Sequence, residues 1–170
     1  MMQKKLMFLV VAGLLGQMSV GHPHFRKAVT ADMRGGKELT LKFTTYPFNE
    51  AHLSEVSKGF VFHCGRATLT TTAPTASGSS QIPAGEYAVR AQANSVDDWT
   101  FVLIPVADVG DSGDVDVSKG MKLETATHTG QPSSHHLQLD LYSGHGDTDG
   151  KMILSLSYGG RRLEAALDVN

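Results

Sequence analysis

From Glu38 to Thr44 polar and apolar residues alternate, so Leu39, Leu41 and Phe43 fall on one face of an extended segment and the other face stays wet. Ala28 to Met33 can extend ahead of it, and Arg34-Gly35-Gly36 supplies the turn, which predicts a half-buried hairpin. Tyr46 to Leu53 breaks the alternation and predicts at most one helical turn; Gly59 to His63 and Ala67 to Thr72 read as extended again. Thr71 to Gln81, rich in Thr, Ser, Ala and Gly with Pro74 inside, reads as a surface loop.

The second half is more regular. Ile82-Pro83-Ala84-Gly85 turns into a strand with Tyr87, Val89 and Ala91 inward, Asn94 to Asp98 turns back, and Trp99 to Ile104 returns as a buried strand. Met121 to Thr129 reads as one further strand. His135 to Tyr142 alternates with Leu137, Leu139 and Leu141 on the core face, leaving His136, Gln138, Asp140 and Tyr142 opposite, and His135 falls on the core side of the pattern. Gly144 to Gly150 turns, Met152 to Tyr158 extends, Gly159-Gly160 makes a tight turn, and Arg161 to Val169 closes with Leu163, Ala165, Leu167 and Val169 inward. Some eight short strands with frequent turns predict an all-β chain, a single antiparallel β-sandwich of immunoglobulin or cupredoxin-like type.

The start of the chain follows a different rule. Lys4 and Lys5 precede an apolar run from Leu6 to Leu15, and Ser19-Val20-Gly21 places small residues where a signal peptidase cuts. That run falls short of the roughly 20 residues that span a bilayer. Residues 1–21 are therefore read as a cleaved signal peptide and residues 22–170 as the β-sandwich domain, exported to the periplasm or beyond the cell, with no membrane span after cleavage. An uncleaved anchor, or a cut a few residues away such as after Gly16, is the other reading of the same segment. Losing Lys4 and Lys5 takes the formal charge from −2 to −4, an acidic balance that argues against nucleic acid and anionic membrane surfaces as partners.

Three pieces carry a resemblance. Ile82-Pro83-Ala84-Gly85-Glu86-Tyr87, then Asp98-Trp99-Thr100-Phe101, then the glycine turn at Tyr158-Gly159-Gly160, resemble in order and spacing a bacterial exported family known only as domain of unknown function 2911. The likeness covers residues 82–168. It implies a β-sandwich outside the cytoplasm and supplies no activity; Ala88-Val89-Arg90 is less apolar than the family's strand at that place. Separately, His22-Pro23-His24-Phe25 running into a Leu-Thr-Leu-Lys-Phe strand is similar in pattern to periplasmic copper-carrying sandwiches that use a terminal histidine.

Cleavage after Gly21 would make His22 the first residue, and a terminal histidine offers a metal both its amine and its ring. With eight histidines in the chain, imidazole-rich copper or zinc binding becomes the leading expectation: His22 as anchor, with His24, His52, His136 or His145 completing the site and Asp140 or Asp147 orienting a ring. Pro23 has no backbone proton to lose, so any such site uses rings and the terminal amine. Opposed to it stands a metal-free binding or structural module that holds a protein or other partner on its edge or loops. His63 and His128 are left as ordinary polar residues.

Cys64, the single cysteine, follows Phe60-Val61-Phe62 and reads as a buried hydrophobe; no histidine lies close after it, which disfavours blue copper. Asp108, Asp111, Asp114 and Asp116 fail the calcium-loop spacing and read as a solvated loop. Enzyme signatures such as a Gly-x-Ser-x-Gly elbow, His-Glu-x-x-His, a phosphate loop or a dinucleotide fingerprint are absent, so the reading leans away from an enzyme.

Overall fold

The computed structural model describes residues 24–33, 35–110, 113 and 115–169. The segment expected to be an export signal, the expected cleavage point and His22 lie outside the described residues, as do Asp111 and Asp114. The described residues form thirteen strands in chain order: β1 Arg26–Met33, β2 Lys37–Thr44, β3 Val61–Phe62, β4 Thr68–Thr71, β5 Thr75–Ser77, β6 Ser80–Ile82, β7 Gly85–Ala93, β8 Trp99–Pro105, β9 Met121–Lys122, β10 Thr125–His128, β11 Ser134–Ser143, β12 Lys151–Gly159 and β13 Arg161–Asp168. Helical structure among them is confined to single 3-10 turns, so no helix there is long and apolar enough to cross a membrane.

The strands make two antiparallel sheets. One runs β1-β2-β4-β7-β8-β9, with β3 beside β4 along the same side of β7. The other runs β11-β12-β13-β5-β6, with β10 also pairing β13. Their inner faces share one apolar core, in which Leu39, Leu41, Leu69, Val89, Phe101 and Leu103 of the first sheet meet Leu137, Leu154 and Leu167 of the second, all fully buried. Burial of such large side chains at about 1.5–3 kcal/mol each is what drives the two sheets together. The expected β-sandwich is the observed fold.

The inward positions expected of β2, β7, β11 and β13 are buried as the alternation requires, apart from Val169, which is half-buried just past β13 and packs on the core. Three local readings change. Thr71 to Gln81 is not simply surface loop: it carries the short hairpin β5-β6, in which Thr75 and Ser77 are buried and Ala76 pairs with Asp168. Met121 to Thr129 is two strands in different sheets, because the chain crosses the sandwich at Leu123-Glu124. His135 is exposed, since a register irregularity between Ser134 and Gln138 interrupts the alternation there.

Part of the outer face of the first sheet, over β7 and β8, is covered. Ala88, Arg90, Val102 and Ile104 point away from the core yet are buried: Val106, Val109 and Gly113 lie beside Ala88 and Arg90, and Gly120 comes so close to Val102 and Ile104 that an added Cβ would overlap them.

Candidate functional site

The outer face of the second sheet carries most of the polar chemistry. Antiparallel register sets its side chains in ranks: Gln138, Ser157, Arg162 and His128 across one level, Asp140, Ser155, Glu164 and Ala126 across the next, and Tyr142, Ile153 and Ala166 across the third. Residues on one face of neighbouring strands lie close enough for long side chains to meet along the diagonals. Glu164 is the hub of such a meeting.

The Tyr142 hydroxyl donates to Glu164 Oε1, and Arg162 Nη2 lies 2.7 Å from the same oxygen. The same Nη2 donates to the Tyr142 oxygen at 2.8 Å, and the guanidinium sits over the Tyr142 ring, 5.7 Å from its centroid. His128 Nε2 lies 3.3 Å from Glu164 Oε2. Burial, and then the bond to Glu164, push the Tyr142 phenol above its ordinary range, so it remains a donor at physiological pH. Arg162 Nε is buried without a partner among the described residues.

Two grooves flank this cluster and share Tyr142 and Arg162. One, about 430 Å³, runs toward β1 and is lined by Lys27, Val29, Phe43, Gln138, Leu139, Asp140, Ser155 and Ser157 besides the shared pair. The other, about 500 Å³, is lined by Glu124, Thr125, Ala126, His145, Thr148, Ile153, Glu164 and Ala166. Charges of both signs, hydroxyls, an amide and apolar side chains are interleaved within them. Such a lining suits an uncharged ligand rich in hydrogen-bonding groups better than an ion of either sign.

The candidate metal ligands are spread out. His24 is exposed ahead of β1, and His136 is exposed near the start of β11, where it forms an isolated bridge with Pro47. His52 is exposed in a 3-10 turn over Glu50–His52, with its ring Nδ1 2.7 Å from the Tyr158 hydroxyl and its ring stacked on that of Tyr158. His145 leads into the turn Gly146–Thr148 and lines the second groove. Asp140 accepts from its own neighbour Leu141 N, and Asp147 is exposed. Among the described residues no three His, Cys, Asp or Glu side chains gather into a group fit to hold a metal.

His128 and the outward positions Arg162 and Glu164 were not singled out by sequence. The alternation of β13 places both outward, and only the register of β10, β12 and β13 shows that they converge.

Cys64 is fully buried, as its apolar neighbours suggest, and its Sγ donates to Phe62 O at 3.4 Å. Burial pushes the thiol up to about 12 from 9.0, with nearby Arg90 opposing the shift. The native protein should leave this thiol unreacted by a disulfide reagent near neutral pH while the denatured chain reacts fully. Because the unfolded chain loses the thiol proton first, the contribution of Cys64 to stability should be level below about pH 9 and fall as pH rises toward 12. Rapid labelling of the folded protein would show the site to be open.

Compared with family models, with curated proteins and with solved structures, the chain matches none.

Proposed function

We propose that the chain is an exported, metal-free binding module that holds a small, uncharged, polyhydroxylated ligand of sugar-like chemistry on the outer face of its second sheet. The observation that supports this most is the Tyr142–Glu164–Arg162 cluster with a groove on either side. Each member of the cluster fixes the others, so donors and acceptors are oriented before a ligand arrives and little side-chain entropy is lost on binding. Ser155 and Ser157 with Gln138 and Asp140 supply further donors and acceptors along the first groove, and Val29, Phe43 and Leu139 give it apolar walls. The test is an array of neutral oligosaccharides probed with the labelled protein. Saturable binding to a subset of structures is expected; a blank array would remove the reading.

A second reading, copper held at the amino terminus, is favoured by the small residues ahead of His22 and by the exposure of His24 two residues later. The protein with His22 proved first by mass spectrometry should bind copper tightly and stoichiometrically, and one extra alanine ahead of His22 should abolish that. Equal weak binding by both forms would refute it.

A further inference from the structure

The other sheet carries a buried cation that no described carboxylate neutralises. Arg90 projects from the outer face of β7 and is 4% exposed, while its strand neighbours Val89 and Ala91 point into the core. Its Nη1 donates to Val89 O at 2.9 Å and its Nη2 reaches Gly113 O only at 3.5 Å; its Nε has no partner among the described residues. Among the described residues no Asp or Glu forms an ion pair with it. Burial lowers its pKa, consistent with a guanidinium held in a poorly solvated place. A guanidinium left this way is costly unless an anion completes it.

A strained turn brings a second cation to the same place. Between β3 and β4, which lie end to end along β7, the chain makes a left-handed excursion: Cys64, Gly65 and Arg66 have φ of 49°, 66° and 55°. A left-handed conformation is costly for any residue with a Cβ, so two such residues, one on each side of Gly65, signal that the surroundings, or a function, impose it. The excursion turns Cys64 into the core and sends His63 and Arg66 outward. There they wall, with Arg90 and Thr68, a pocket of about 500 Å³ whose far side is formed by the half-exposed Val106 and Val109.

We propose that this pocket binds a small organic oxyanion, with Arg90 and Arg66 holding a phosphate or carboxylate group and Val106 and Val109 packing on its apolar body. Guanidinium forks match the geometry of both kinds of group, and a pocket of this volume has room for more than the bare ion. This site lies on the opposite sheet from the sugar-type grooves and stands or falls independently of them.

The test is isothermal calorimetry of the whole protein with phenyl phosphate and, separately, with benzoate. At least one should bind saturably, more weakly as salt rises, and the difference between them assigns the anionic group. Arg90→Met should abolish binding. Because that variant disturbs a buried position, Arg66→Gln, at an exposed side chain, provides the second check: an unchanged melting temperature with binding weakened about tenfold. Absence of saturable binding by both probes, or binding that Arg66→Gln leaves unchanged, would overturn the proposal.

Discussion

Replacing Gly65 by alanine is expected to lower the stability of the domain by roughly 2–5 kcal/mol, enough to unfold much of a marginal protein. Two effects combine. The residue sits at φ 66°, where a Cβ costs about 1–2 kcal/mol. The added carbon would also lie 2.2 Å from Thr44 O and 2.7 Å from Leu137 Cδ2, a backbone atom at the end of β2 and a fully buried side chain of β11, neither of which can retreat cheaply. Overpacking of this kind adds about 1–3 kcal/mol. The control is Gly150→Ala: that residue has φ 78° but nothing within 4 Å of the added carbon, so only the conformational cost of about 1–2 kcal/mol remains. Urea unfolding of both variants separates the two contributions. Equal losses would mean that the left-handed turn is not pinned between the two sheets.

The second large effect concerns binding. Arg162→Met should weaken the sugar-type ligand roughly ten- to hundredfold, because a charge-assisted hydrogen bond contributes about 1.5–3 kcal/mol. Arg162 borders both grooves, holds Tyr142 and Glu164 in place, and is partly exposed, so the variant should fold. Glu164→Gln should have a smaller effect of the same sign: the amide still accepts from the Tyr142 hydroxyl but loses its charge toward Arg162 and His128. Binding measured on whichever oligosaccharide the array returns, with melting temperatures alongside, distinguishes loss of contact from loss of fold. Full affinity in Arg162→Met would move the ligand elsewhere.

Much of the fold was legible because the inner faces obey a simple rule. Leu39, Leu41 and Phe43, or Leu163, Ala165 and Leu167, recur at every second position, and the core lies where they point. What failed to show depends on contacts distant in sequence. Arg90 follows the outward alternation of β7, and the rule assumes that outward means wet; Val106, Val109, Gly113 and Gly120, which lie over that face, reverse the assumption. The β5-β6 hairpin has little apolar signature, since it joins its sheet through a pairing of Ala76 with Asp168. The apolar neighbours of Cys64 mark it as buried, yet the two left-handed residues around Gly65 give no signal of their own, because neither cysteine nor arginine favours that conformation.

The site follows the same division. The outward face of β11, with Gln138, Asp140 and Tyr142, is readable from alternation, and His145 stands out by its chemistry. Their partners Arg162, Glu164 and His128 come from strands whose order and register no local pattern reveals. The histidine count pointed toward a metal; in the structure one of these rings, His52, meets a tyrosine, another, His128, meets a glutamate, and the anchor His22 lies outside the described residues.

The most direct test of the binding face is a titration of the isotope-labelled protein with the best oligosaccharide from the array, followed by backbone amide chemical shifts. Shifts concentrated on β11, β12 and β13 around Tyr142, Ser155 and Arg162, and lost in Arg162→Met, are the predicted result. Saturable shifts confined to the first sheet, or to the histidine-bearing amino terminus, would contradict it.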